Sequence, residues 1–281
     1  MRDLARYRFA KMAEEAVRAD EETKQKKYLK IAIVVILVIY FVFPKYWKAA
    51  IYPFLYGKER GIEQKISEED FFEDFQAESF DFKRKGITYK ITPKTKYSGT
   101  GRVGIVDHYD GWFNKFYRGW SQNNYINLVP QDVVIVIGKM ADPDIFKLFD
   151  FVHEERGGGP ICKGVKYRKS FMSSFSNEEE WKKSKENYDK CEPYRIDKEY
   201  NNYHPIPANE AINAALSMLK YNDIISIEGY LVDVELNGRP YIKSATRHSQ
   251  IIPEILLGGR HAGWCFVIYT TKVVVNGVLY E

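Results

Sequence analysis

The chain has 281 residues, with 42 Lys and Arg against 38 Asp and Glu and a formal net charge of +4. A balance this even excludes a polyanion binder that works through a strongly basic surface, and three cysteines are too few for a disulfide scaffold. Aromatics make up 15% of the chain, led by 21 tyrosines, which favours strands and interfaces over a helical bundle.

Residues 1–28 hold neither Gly nor Pro and read as a charged cytoplasmic helix. Within it Ala5, Phe9, Met12, Ala16 and Ala19 recur at heptad spacing, which fits a seam for a partner helix or a solvated helix with a few small apolar residues. Residues 31–43, IAIVVILVIYFVF, carry no charge. Thirteen helical residues rise only about 20 Å, so the flanks must complete the crossing. Lys30 and Lys45 can snorkel, and Tyr28, Tyr46 and Trp47 suit the interfacial belt, giving one transmembrane helix over 29–46. The run is apolar all round, unlike a core helix with a polar stripe. The bulky residues 43–47 offer no signal-peptidase site. Lys24, Lys26, Lys27 and Lys30 outweigh the lysines that follow, which places the N-terminus inside and the rest outside an inner membrane.

Residues 47–85 read as a juxtamembrane linker. Ser67-Glu68-Glu69-Asp70 has the form of a capping box that opens a short acidic helix to about Gln76, with Phe71, Phe72, Phe75 and Phe80 on its buried face.

From 86 to 281 the pattern turns to β. Runs at 87–92 and 101–108 precede 132–138, which is apolar throughout and so reads as buried on both faces. Residues 224–234 and 239–244 flank Asn237-Gly238, the strongest hairpin signal in the chain, and a last run spans 264–275. One helix, 209–220, interrupts them. A helix followed by a tight turn and a strand is a common arrangement in small OB-like β-barrels, which makes the fold class mainly β. Residues 155–203, rich in glycine and then charge, read as a long polar insertion outside the barrel. The insertion carries Cys162 and Cys191, which are expected to form a disulfide in an oxidising space, while Cys265 reads as a buried free thiol.

Several segments carry a resemblance. Tyr125-Ile126-Asn127-Leu128 with 132–138, then 201–207, 222–231 and 263–269 resemble, in order and spacing, an uncharacterised family of bacterial membrane-anchored proteins with an extracytoplasmic OB-like domain. The likeness covers roughly 87–275. The chain departs from it by a longer stretch between Ser249 and Ala262, and by lacking the acidic residue that usually follows the Ser244/Thr246/Arg247 group. The resemblance also implies a rival cysteine pairing, Cys162 with Cys265, because family members tend to carry cysteine at both positions. It implies no activity.

Local motifs for chemistry are missing. The histidines lack HExxH spacing, and there is no GxSxG, phosphate loop or GxGxxG. Residues 107–110, Asp-His-Tyr-Asp, read as a polar turn and not as a metal site. Arg247-His248 and Arg260-His261 read as solvated surface before an anion rim. No catalytic residue, cofactor or metal is expected. Trp112, Phe116 and Trp120, in a loop with Lys115 and Arg118, are candidate partner-binding residues, with cover for the barrel's open end as the equal alternative. The expectation is therefore an anchored extracytoplasmic scaffold subunit that binds other envelope proteins, or copies of itself, and no nucleic acid. The alternative is an anchored hydrolase-like enzyme whose site is not visible in sequence.

Overall fold

The computed structural model describes residues 29, 31, 51–75, 77–109, 119–154, 157–165, 178–244 and 265–281, without the side chains of 119–123, 153–154 and 157–158. The chain divides into two units, Met1–Tyr52 and Pro53–Glu281. In the first, Leu29 and Ile31 are helical and exposed. The rest of the expected span, with Tyr28, Lys30, Lys45, Tyr46 and Trp47, lies outside the described residues. Among the described residues no helix is long and apolar enough to cross a membrane.

The second unit is mainly β. Its sheet is built on β4 (Ile87–His108), β5 (Gln131–Val136), β8 (Tyr200–Pro207), β9 (Ile224–Leu236) and β11 (Cys265–Val275). β4 pairs with β5, β5 with β8, β8 with β11, β11 with β9 and β9 back to β4, so the sheet curls round on itself. Only the β8–β11 pairing is parallel among these five. Inside the curl pack Tyr97, Val103, Val133, Ile135, Tyr203, Ile227, Phe266 and Ile268. Helix α4 (Glu210–Ser217) follows β8 and adds Ile212, Ala215 and Leu216 to this core. Asn209 caps it by accepting from the Ile212 N–H.

β4 joins two expected strands into one of 22 residues. Pro93, which reads as a terminator, sits beside a bulge in the pairing with β9, where proline's missing N–H is tolerated. Odd-numbered residues from Tyr89 to Tyr97 point inward through the polar stretch Lys94-Thr95-Lys96, so the period-2 alternation continues although its apolar signal fades. The hairpin β9–β10 (Arg239–Lys243) turns at Asn237 and Gly238 with φ of 53° and 72°, as its sequence predicts. β5 is buried at every residue, again as expected.

The expected acidic helix after Ser67 is not formed. Residues 71–74 are strand β2 (Phe71–Asp74), paired with β4. Ser67 Oγ accepts from the N–H of Thr100 instead of capping its own turn, and the Ser67 carbonyl accepts from Gly138. The four phenylalanines do not share a face: Phe72 packs on Tyr97 and Phe266, while Phe71 is 54% exposed. Nor is 47–85 a linker throughout, since β1 (Glu59–Arg60), β2 and β3 (Phe80–Arg84) are all part of the sheet.

The expected polar insertion is also partly core. β6 (Phe149–Glu154) and β7 (Gly157–Cys162) form a two-stranded sheet that starts before residue 155. β8 (Tyr200–Pro207), which begins inside the expected insertion, is a central strand. Phe146, Phe149, Phe151, Cys162 and Cys191 pack against Val134 and Val136 of β5. Cys162 and Cys191 are disulfide-bonded with Cα atoms 5.6 Å apart, which ties β7 to the end of helix α3 (Glu178–Cys191) and removes the rival pairing. Helices α1 (Gly119–Leu128) and α2 (Pro143–Phe146) complete the numbered elements. Trp120 thus lies in α1 and not in a loop.

Candidate functional site

Strand alternation and pairing bring three distant residues together on the outer side of the sheet. Val133 is opposite Tyr203, and both point into the core, so their neighbours Asp132 and His204 point outward side by side. On the other flank of β8, Cys265 begins β11 opposite Asn202. The result is a carboxylate, an imidazole and a thiol across adjacent strands β5, β8 and β11.

The hydrogen bonds have a direction. His204 Nδ1 bonds Asp132 Oδ1 in a very short contact, and the Tyr125 hydroxyl stands 2.9 Å from the same nitrogen. Tyr109 donates to Asp132 Oδ2, also at very short range. Cys265 also stands close enough to His204 to raise the imidazole's pKa. With Nδ1 engaged by Asp132 and Tyr125, Nε2 is the nitrogen left for the thiol. The Asn202 amide Nδ2 donates to Cys265 Sγ at 3.9 Å. Cys265 is not disulfide-bonded and is half-buried, more open than its apolar run predicts.

Burial by itself favours a neutral His204, but the hydrogen bonds and charge of Asp132 and Cys265 outweigh it and push the imidazole from 6.5 to about 10. Burial, followed by the negative charge of Asp132, pushes Tyr125 far above the ordinary phenol range, so it serves as a hydrogen-bonding group. The side chains of His204 and Asp132 are only 12% and 10% exposed, so the pair is shielded from water and salt.

A second polar group lies on the opposite face of β8. Asp70, buried, accepts from Tyr97 at 2.7 Å, from Tyr203 at 3.0 Å and from Asn201 at 3.3 Å. Burial first, and then the Asp70 charge, raises both phenols well above 10.0. This group fastens the segment before β2 into the core.

The expected site residues fare differently. The disulfide is present. Trp112 and Phe116 lie outside the described residues, as does the side chain of Trp120. Asp107 and His108 end β4 opposite Asp132 and Gln131, so they extend a strand and do not form a turn. Among the described residues no group of three His, Cys, Asp or Glu is arranged to hold a metal. The Asp132–His204–Cys265 set carries no local motif, because its members are spread along the chain. No single segment of the sequence signals the set, since Asp132, His204 and Cys265 meet only through strand pairing.

The chain matches no protein-family model, and no curated protein or solved structure is significantly similar to it.

Proposed function

We propose that this chain is a membrane-anchored extracytoplasmic hydrolase or acyl transferase that acts through Cys265, with His204 as base and Asp132 orienting it. One observation carries the reading: a half-buried thiol beside a histidine whose Nδ1 is held by a carboxylate. The thiolate is the nucleophilic form of cysteine, a neighbouring imidazole takes its proton, and a third group fixes that imidazole. The expectation of a binding domain rested on a joint absence of local catalytic motifs, and the neighbouring Cys265 and His204 favour an enzyme instead.

The anchor over 29–46 and the outside location of the domain belong to the same reading. They are supported by the uncharged run 31–43, the lysine bias and a disulfide that suits an oxidising compartment. The barrel is inferred to be OB-type. Numbering the five ring strands in chain order gives the cyclic order 1-2-3-5-4, with strands 3 and 5 parallel and a helix between 3 and 4. The proposed site then lies on strands 2, 3 and 5, beside the connections that OB folds use for ligands. The family resemblance supports this order, since its segments follow the ring strands.

The test is alkylation of Cys265 by iodoacetamide in the full-length protein, read by peptide mass spectrometry. Cys265 should react faster than free cysteine at neutral pH, and His204→Ala should slow it. A rate no faster than free cysteine would make the thiol a packed side chain and end the proposal.

A docking role is the second reading, favoured by the exposure of Phe54, Phe71 and Trp181 among the described residues. Its partners are other membrane or envelope proteins, bound through Trp112, Phe116 and Trp120. Changing these three to Ala should release the partners without loss of membrane insertion or thermal stability. Unchanged co-purification from mild-detergent membranes would place the docking surface elsewhere.

A further inference from the structure

We propose that Asn202 is the oxyanion donor of this site, which makes its substrates acyl compounds: esters, thioesters or amides. The inference rests on the thiol reading above and adds what the nucleophile attacks. Asn202 is opposite Cys265 in the parallel β8–β11 pairing, and its amide N–H already points at Sγ from 3.9 Å. The side chain is 2% exposed, so its donor acts where water does not compete.

The step balances with water as the only co-reactant. The Cys265 thiolate forms a bond to the carbonyl carbon, and the π pair moves to oxygen. An oxygen on that carbon develops charge close to the sulfur, within reach of the amide N–H that now faces Sγ. The oxyanion collapses and expels the alcohol, thiol or amine, which takes its proton from His204. A thioester remains on Cys265. Water then gives a proton to His204 and attacks the thioester, and Cys265 departs as thiolate. A nucleophilic substitution at sp³ carbon has no oxyanion and makes no use of Asn202.

That difference supplies the test, using full-length protein in mild detergent. Acylation of Cys265 by p-nitrophenyl acetate is compared with its alkylation by iodoacetamide, in wild type, Asn202→Ala and Asn202→Ser. Loss of an oxyanion donor should slow acylation ~100-fold or more while alkylation stays within about twofold. Equal slowing of both reactions would show that Asn202 only holds the sulfur in place, and no slowing of either would remove it from the site; each overturns the proposal. Should both variants fail to fold, wild type decides. A thiono ester, whose sulfur accepts hydrogen bonds poorly, should lose more rate against its oxoester with Cys265 than with free cysteine, and an equal ratio overturns the donor. Wild-type Cys265 that reacts no faster than free cysteine with either reagent would sink the thiol reading itself, an outcome distinct from a failed donor.

Discussion

The protonated form of His204 is the one the fold stabilises, because Asp132 and Cys265 bind it better than water does. Its folded pKa, about 10, lies above the ordinary 6.5. The stabilisation is therefore complete below about pH 6.5 and is lost as pH rises toward 10. The gap in Tm between wild type and His204→Gln should be widest near pH 6 and shrink steadily up to pH 10; a gap that does not vary with pH would contradict this. Asp70 makes a second prediction at this scale. Asp70→Ala removes the acceptor shared by Tyr97, Tyr203 and Asn201 and leaves buried donors unmatched, at about 3 kcal/mol. Urea unfolding measures it, and a loss below about 1 kcal/mol would mean that water replaces the carboxylate. Neither residue was legible as a partner in sequence. His204 sits 72 residues from Asp132, and Asp70 lies 133 from Tyr203.

Among the elements, those governed by neighbouring residues were legible and those governed by distant ones were not. Asn237-Gly238 reads as a turn because both positions need positive φ, which these residues adopt cheaply. Helix α4 reads as a helix because its apolar residues repeat on one face, and the structure adds the Asn209 cap. Ser67–Asp70 has an equally good local signature, yet β4 offers 71–74 a ladder of backbone partners and the core takes the Asp70 side chain. The Cys162–Cys191 bridge belongs to this scale, since it joins β7 to α3 across 29 residues. Closing a loop of that size stabilises by about 3–4 kcal/mol in the chain-entropy model. Replacing both cysteines by Ala should lower the unfolding free energy by that order in denaturant titration, and leave Cys265 alkylation intact if the site sits on the sheet alone. A loss of Cys265 reactivity would show that the bridged region also shapes the site.

For the whole molecule, the proposed topology makes one plain prediction. A reporter active only outside the cytoplasm, fused after Glu281, should be active, and a reporter active only in the cytoplasm should be silent. The reverse result would invert the orientation and remove the oxidising space that the disulfide suits. By itself, the sequence determined the β-rich class, the fully buried strand β5, the hairpin turn, the helix after β8 and a cysteine pair able to bridge. Each depends on hydrophobic period, on a few residues' backbone preferences or on chain entropy, all of which act over short distances or need no partner's position. Only the tertiary structure decided that 71–74 is a strand, that one strand runs past Pro93, and that the glycine-rich insertion contributes core. It alone also set a thiol, an imidazole and a carboxylate side by side. Those outcomes depend on which strands lie next to one another and which faces they turn outward, and closure of the sheet fixes both through pairings between residues far apart in the chain.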